Sequence, residues 1–425
     1  MTKKPATKKQ EKQAEKTRKS SVSWLIFLTT LVVVLISLTT VLFPSLVIRS
    51  TSTFQDTAIN PYETGVWTYP FLVANFVLLA IGILYFKNKL PSPLTKSIRF
   101  IFDFEVSKKT SFIVIIILLG IYVGLSASEL STEETWGDYD LSHFVGKAEG
   151  VKVTVGGWTF DDIIKFPSDP NFRYLLLSIS LKILGNIRVI PFLASIALLV
   201  LTYYTTKEIT KKRFAGIISM AIVLQSTTFL SYDTSATYDN FWILLYLLSL
   251  YMVFKKWPLS PVSYVLSISA KSLTVMFLPM TLFFIYRTNM PRQEKIRLAI
   301  SYGIIISVGI AVLAMLNVSG KSESFDSNDF WRGFTSWAFQ LRFDGLVLIF
   351  ILPLIVGLFV LSRRGVLHAE SIMILIIGIL LSAPVLQGFT DLTNQPYRFV
   401  PLIFFFAIGV GILLSKRTGE QAHSF

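Results

Sequence analysis

Cysteine is absent from the 425 residues, so disulfides, thiolate metal sites and thiol nucleophiles are all excluded. Histidine is scarce: the chain has three, His143, His368 and His423, which argues against a multi-histidine metal centre. Charge is scarce as well, since Asp, Glu, Lys and Arg make up 16% of the chain, against about 25% in soluble domains. Hydrophobic residues make up 52% and gather in long runs. The composition therefore excludes a soluble globular enzyme and a disordered chain.

Apolar runs of about 18 to 25 residues recur along the whole chain. Only helices complete their backbone hydrogen bonds within one segment in lipid. The alternating strands of about 10 residues that build membrane barrels are not seen. The sequence therefore predicts an all-α, polytopic membrane protein with about twelve spans. We place them at about 23–48, 67–86, 111–127, 188–206, 214–230, 240–254, 258–270, 272–287, 298–316, 344–361, 370–387 and 398–415.

Basic residues set the predicted orientation, because Lys and Arg concentrate at the cytoplasmic ends of spans. Residues 1–22 are rich in lysine, which predicts a disordered basic cytoplasmic tail touching anionic headgroups. The first apolar run is too long for a signal peptide and is expected to stay as an anchor. A second cytoplasmic tail follows at 416–425. This orientation turns the acidic loops outward and makes the chain a multi-pass cell-membrane protein.

The apolar stretch 172–184 is an exception, because about 13 residues cannot cross a hydrocarbon core about 30 Å thick. If it crossed, the basic segment 207–213 would fall outside. We therefore predict a helix lying on the outer interface, within an outer loop that spans 128–187.

Ionisable residues at the outer side are the candidates for chemistry. The loop 128–170 holds many carboxylates among Trp and Phe, and its plain alternative is a solvated acidic loop. Asp239 opens one span, Lys271 lies inside an apolar stretch and Arg398 opens the last span. Taken singly, Asp239 suits a residue next to a helix N-cap, Lys271 suits a cation that snorkels to the interface, and Arg398 suits an anchor to lipid headgroups. Together, outer cations and carboxylates suit a lipid-phosphate substrate, because cations hold phosphate and a carboxylate activates a hydroxyl.

An ordered series of segments carries a family resemblance. It comprises Trp136-Gly-Asp-Tyr-Asp140, Pro170-Asn-Phe-Arg-Tyr-Leu-Leu-Leu177, Arg188-Val-Ile-Pro-Phe-Leu193, Ser231-Tyr-Asp233 with Tyr238-Asp239-Asn240, Ser269-Ala-Lys271 and Pro396-Tyr-Arg398. This series resembles the GT-C superfamily of polyprenyl-phosphate-sugar-dependent glycosyltransferases. Within it, the dolichyl-phosphate-mannose–protein mannosyltransferases and aminoarabinose lipid A transferases are most similar. The resemblance covers about 111–415, so 23–110 forms an additional hairpin and a basic loop before a GT-C-like module.

The resemblance implies inverting transfer of a sugar from a polyprenyl (dolichyl) phosphate to an acceptor on the outer face. The acceptor is a protein, a lipid or a glycan, the membrane lipids are further partners, and no nucleic acid is implied. No cofactor is certain, and a divalent metal stays open. The implied roles are general base for Asp138 or Asp140, donor-phosphate binding for Arg398, Lys271 and more weakly Arg173, and substrate orientation for Asp239 and Tyr397.

Departures from the family pattern leave alternatives open. The family's adjacent Asp-Glu is Asp138-Tyr-Asp140 here, so either carboxylate can match, and its His-Pro-Pro is Ser168-Asp-Pro-Asn171. A non-catalytic accessory subunit and a lipid or solute transporter are the competing classes. A transporter is expected to show internal repeats and polar residues at the bilayer midplane, and the sequence shows neither. In an enzyme, an acid, Lys271 and Arg398 should converge on one outer cavity.

Overall fold

The computed structural model describes residues 8–45, 62–132, 171–236, 240–255, 257–315, 325–389 and 396–415. Within these ranges the regular structure is helical and no strand occurs. The first half comprises α1 (Lys8–Leu42), α2 (Thr68–Phe86), α3 (Ser92–Asp103), α4 (Lys108–Ser126), α5 (Asn171–Leu184), α6 (Val189–Thr210), α7 (Arg213–Leu224) and α8 (Thr227–Leu230). The second half comprises α9 (Phe241–Lys255), α10 (Ser260–Ala270), α11 (Leu278–Arg287), α12 (Arg292–Met315), α13 (Ser327–Arg332), α14 (Gly345–Arg363), α15 (Leu367–Gln387) and α16 (Val400–Leu413).

Seven described segments are long and apolar enough to cross a membrane, which confirms the prediction of a helical membrane protein. The predicted count of about twelve is not reached among the described residues by this criterion of length and composition. The remaining predicted spans correspond to α7, α9, α10, the segment Leu273–Arg287 and α12. A 12-residue helix such as α7 is only about 18 Å long. The seven segments are Ser21–Leu42, Thr68–Tyr85, Lys108–Ser131, Val189–Thr210, Gly345–Arg363, Leu367–Gln387 and Pro396–Leu413.

The first helix differs from the sequence prediction at both of its ends. It begins at Lys8, so part of the tail predicted to be disordered continues the helix. Lys, Glu, Gln and Ala are strong helix formers, and extending a helix already nucleated by the apolar run costs little. The helix ends at Leu42 rather than near 48, two residues before Pro44, whose ring cannot continue a helix.

Helix α5 covers the short stretch that is predicted to lie on the membrane surface, and it packs on α6 and α10. Leu177, Ser178 and Ser180 on α5 are fully buried, whereas Ile183 is 74% exposed. The hydroxyl of Ser180 donates to the carbonyl of Asn186 at 2.6 Å and fixes the turn into α6. The helix is therefore confirmed, and its interfacial position stays a prediction.

The predicted tight pair of short spans is present as α10 and α11, separated by a break at Lys271. Lys271 has extended backbone, with φ −153° and ψ 115°, and a 3-10 turn (Ser272–Phe277) follows it. The hydroxyl of Tyr264 on α10 donates to the carbonyl of Thr274 in that turn at 2.8 Å. The break therefore folds the chain back on α10 and leaves Lys271 at the end of the pair.

Helix α16 forms the centre of the bundle and contacts α6, α7, α14 and α15. Every residue from Val400 to Gly409 is buried. Gly411 allows close approach to α6, because a Cβ there would clash with the Thr206 methyl group. The hydroxyl of Ser219 on α7 donates to the carbonyl of Ala407 at 2.7 Å. The last and most apolar helix is thus covered by protein.

Polar contacts divide the bundle into two ends. At one, Glu208 pairs with Lys255 at 2.6 Å, Lys212 binds the carbonyl of Phe102, and Arg287 pairs with Glu370. We call this the basic end. At the opposite end, the segments 127–132, 231–236, 333–343 and 396–399 contact one another. We call this the distal end, and the candidate site lies there.

Candidate functional site

Two cations that the sequence singles out, Lys271 and Arg398, line the same pocket at the distal end. The pocket holds about 330 Å³ of space not filled by atoms, part of which is open solvent, and it leaves room for about one water molecule between the side chains. The lining residues that the structure describes include two cations and no carboxylate. The lining residues are Trp242, Lys271, Leu273, Phe277, Trp337, Ile379, Ser382, Arg398 and Pro401.

Lys271 is held in place by the contact between α10 and α9. The hydroxyl of Ser267, one turn before it, donates to the carbonyl of Trp242 at 2.7 Å. The Lys271 ammonium lies 5.8 Å from the centre of the Trp242 ring and 5.4 Å from that of Tyr397. A helix carboxyl end also favours a cation, and α10 ends at Ala270. The ammonium therefore lies among aromatic faces at a helix end.

Arg398 lies on the short 3-10 turn Pro396–Phe399 that leads into α16. Its guanidinium carbon is 5.5 Å from the centre of the Tyr397 ring, so Tyr397 contacts both cations. The next residue, Phe399, stacks on Trp337 with ring centres 4.2 Å apart. Arg398 Nε is buried and has no hydrogen-bond partner among the residues that the structure describes. The turn thus presents a cation with unused donor capacity to the pocket.

Arg173, the weaker phosphate-binding candidate, does not line this pocket. Its guanidinium donates to the carbonyl of Ala236 at 3.3 Å. Ala236 belongs to the turn 231–236, in which Tyr232 packs on Tyr397 with ring centres 5.8 Å apart. Among the described residues, Arg173 therefore contacts the turn that packs on Tyr397 and not the pocket itself.

The same turn holds a buried carboxyl, Asp233, that the sequence analysis does not select as a site residue, because it selects Asp239 in this loop. Asp233 is fully buried and accepts a hydrogen bond from Ser126 at 2.5 Å. Its backbone carbonyl accepts from Ser195 and Asn240. Burial raises the pKa of Asp233 from 3.8 to about 7. Its type and position resemble those of Asp239 in sequence, so no sequence signal separates the two.

Glu129 extends this polar cluster along the distal end. Its carboxylate accepts from the hydroxyl of Thr234 at 3.1 Å, and its backbone carbonyl accepts from Arg188 at 3.1 Å. Asn186 donates to the neighbouring carbonyl of Leu130 at 2.7 Å. These bonds anchor the segment 127–132 both to the turn that carries Tyr232 and to the residues that lead into α6.

Three predicted site residues, Asp138, Asp140 and Asp239, lie outside the described residues. Among the described ranges, no group of three or more His, Asp or Glu side chains could hold a metal ion.

No family model matches the chain, and neither the curated proteins nor the solved structures contain a match to it.

Proposed function

We propose that this chain is a membrane glycosyltransferase of the GT-C type. It would move a sugar from a polyprenyl phosphate to an acceptor at the distal end, with inversion at the anomeric carbon. The observation that supports this is the meeting of Lys271 and Arg398, far apart in sequence, at one pocket whose described lining holds no carboxylate. Residues from separate segments that converge as cations suit a phosphate group.

The chemistry follows from the charge that develops on the donor. The acceptor oxygen attacks the anomeric carbon while the bond from that carbon to the phosphate oxygen breaks. The phosphate leaves as a monoester, and its charge grows from −1 towards −2. Lys271 and Arg398 stabilise this growing charge, which is often the largest catalytic contribution. Asp138 or Asp140 takes the proton of the acceptor hydroxyl. One carboxylate is enough, whereas glycosidases use two.

The pocket is narrow, so a phosphate has to displace the two cationic side chains to enter. Both side chains are long and only half-buried, and the proposal requires them to move apart around the phosphate. Tyr397 lies against both cations. Substrate orientation by Tyr397 therefore belongs to the same proposal, with the lipid tail between neighbouring helices.

The charge distribution supports an orientation with the basic end in the cytoplasm. Lys and Arg concentrate in cytoplasmic connections, and the connections at the basic end carry Lys211, Lys255, Arg287 and Arg363. Both termini would then be cytoplasmic, and the distal pocket would open at the outer face of the membrane.

A lipid or solute transporter is the second candidate, and one observation favours it. The chain reverses at Lys271, between the short helices α10 and α11, and non-helical breaks between short helices often line transport sites. The observations support an accessory subunit less well, because a non-catalytic subunit gives no reason for Lys271 and Arg398 to line the same pocket.

The test uses the full-length protein in lipid nanodiscs with a labelled polyprenyl-phosphate hexose and a membrane acceptor fraction. We expect Lys271→Gln and Arg398→Gln to lower transfer by about 100-fold or more. One of Asp138→Asn and Asp140→Asn should abolish it. The control Arg332→Gln removes an exposed cation at the distal end and should leave transfer unchanged. Full activity in both aspartate variants removes the proposed base. Donor movement between leaflets without transfer would favour the transporter.

A further inference from the structure

We infer that Trp242 and Trp337 are phosphate-binding residues whose indole N–H groups donate hydrogen bonds to the anion held by Lys271 and Arg398. The inference rests on the proposed function for the source of the anion, which we take to be the single phosphate of a prenyl lipid. The role of the two indoles is independent of which sugar is moved.

The first observation is that both indoles are buried and unpaired. Trp242 is 3% exposed and Trp337 is 1% exposed, yet neither Nε1 has a hydrogen-bond partner among the described residues. The indole nitrogen is a donor only, and buried Trp side chains ordinarily pair it. An unpaired buried donor is costly. Both tryptophans line the same pocket, and an acceptor that enters it could pair with both donors.

The second observation is that both rings are fixed before any ligand arrives. Trp337 stacks on Phe399 with an angle of 24° between the ring planes. Trp242 accepts the Ser267 hydrogen bond at its carbonyl and packs on Phe277 with ring centres 5.9 Å apart. Donors that are held in place lose little freedom when a ligand binds, which favours affinity.

The third observation is that the charges and donors of the pocket's lining residues match those that a phosphate monoester requires. Two cations balance the two charges of the monoester, and the two indoles add donors without adding charge. Pro401, in the first turn of α16, also lines the pocket, and the amino end of that helix has no side-chain cap. Its partial positive charge adds to the same field. A phosphate has enough acceptor oxygens to bind two cations and two indole N–H groups.

The experiment records the indole N–H resonances of the full-length chain, labelled with ¹⁵N-tryptophan, in nanodiscs. Farnesyl phosphate is the probe, with inorganic phosphate and farnesol as comparison ligands. The variants Trp242→Phe and Trp337→Phe assign the two resonances, because phenylalanine keeps a ring and lacks the donor. We expect farnesyl phosphate to shift both resonances downfield. The indole of Trp24, near Phe359 on another part of the bundle, should not move.

Affinity gives the second measurement. Each of Trp242→Phe and Trp337→Phe should weaken farnesyl phosphate binding about tenfold or more, because each loses a bond to a charged group. The matched variant Trp24→Phe should bind as the wild type does. Inorganic phosphate should shift the same two resonances at much higher concentration, and farnesol should shift neither.

The outcomes separate the inference from the proposed function. If saturating farnesyl phosphate shifts neither indole resonance while Arg398→Gln loses binding, the indoles are not donors. The proposal that the pocket binds phosphate is then unaffected. If Arg398→Gln and Lys271→Gln also bind normally, or the wild type binds no prenyl phosphate, both proposals fail. If inorganic phosphate and farnesyl phosphate bind with equal affinity, the indoles are still donors to the anion. The claim that the anion belongs to a prenyl lipid is then wrong. Equal shifts with farnesol mean apolar contact and overturn the inference.

Discussion

The hydroxyl of Ser267 donates a hydrogen bond of 2.7 Å to the carbonyl oxygen of Trp242 and joins the end of α10 to the beginning of α9. One turn earlier, the hydroxyl of Ser263 makes the same type of bond, also 2.7 Å long, to the carbonyl of Leu245. The two bonds hold the same pair of helices. Only Ser267 stands next to Lys271 and the pocket, so the two serines form a matched comparison.

Ser267→Ala should weaken prenyl phosphate binding about three- to tenfold, because one buried hydrogen bond contributes about 1 kcal/mol and here fixes the position of Lys271. Ser263→Ala should cost similar stability and leave binding unchanged. Calorimetric titration with farnesyl phosphate and thermal unfolding of both variants provide the measurement. Equal loss of affinity in the two variants would mean that general loosening of α9 and α10, rather than the placement of Lys271, governs binding.

The aromatic face of Tyr397 is the subject of the second prediction. Lys271 and Arg398 lie 5.4 and 5.5 Å from its ring centre, and each such contact contributes about 0.5 to 2 kcal/mol. Tyr397→Leu should therefore weaken farnesyl phosphate binding by about tenfold, while Tyr397→Phe, which keeps the ring, should lose less. Binding titrations of both variants decide this. If the phenylalanine variant is the weaker binder, the hydroxyl of Tyr397 matters more than its ring.

Site residues that stand out by their chemical type could be predicted from the sequence. Lys271 in an apolar stretch and Arg398 at the start of a span are conspicuous by charge, and the structure brings both to one pocket. The helical class and the break between α10 and α11 follow from hydrophobic runs and their lengths. These features are local, so the sequence displays them.

Features that depend on long-range packing could not be predicted. Trp242 and Trp337 are ordinary aromatic residues in sequence, and only the packed bundle leaves their donors without a partner among the described residues at the pocket. Asp233 and Asp239 look alike, and burial of Asp233 among Ser126, Ser195 and Asn240 is decided by other helices. The number of spans was equally hard to predict, because short helices such as α7 can be covered by protein.

The pH dependence of stability is expected to report on Asp233. Its pKa is raised from 3.8 to about 7 by burial, so the folded state keeps a proton that the unfolded state has lost between these values. Stability should therefore be full below about pH 4, fall as the pH rises towards 7, and level off above it. Asp233→Asn keeps an acceptor for Ser126 without a charge and should remove most of this fall, up to about 4 kcal/mol.

Thermal unfolding in detergent from pH 4 to pH 8 measures this effect. Asp329→Asn serves as the control, because Asp329 is exposed at the distal end beside Arg332 and should change stability by less than about 0.5 kcal/mol. A pH profile of Asp233→Asn that parallels the wild type would assign the dependence to another group.

Glycine at position 216 permits the close approach of α7 and α6. A Cβ there would lie 2.7 Å from both the carbonyl oxygen and a ring carbon of Tyr203, and backbone atoms cannot give way cheaply. Gly216→Ala should lower the free energy of unfolding by about 1 to 3 kcal/mol. A Cβ at Gly303 on α12 would meet no neighbouring residue within 4 Å in the part of the chain that the structure describes, so Gly303→Ala should be neutral or stabilising by up to about 1 kcal/mol. Thermal unfolding compares the two, and equal destabilisation would contradict the packing argument.

The buried ion pair between Arg287 and Glu370 joins α11 to α15 at the basic end, and its side chains are 12% and 3% exposed. The carboxylate of Glu370 also accepts from Ser23 on α1 and from Ser362 on α14. Glu370→Leu leaves a buried guanidinium without its partner, so it should lower the free energy of unfolding by about 3 to 5 kcal/mol.

The double variant Arg287→Leu/Glu370→Leu removes both charges and should recover much of that loss, because a well-packed apolar pair often replaces a buried ion pair at little cost. Unfolding of the two single variants and the double variant forms a complete cycle. Additive losses would mean that the two charges do not stabilise each other. Because the pair lies at the basic end, the folded double variant should bind farnesyl phosphate with wild-type affinity, and a weakened affinity would reveal coupling between the two ends of the bundle.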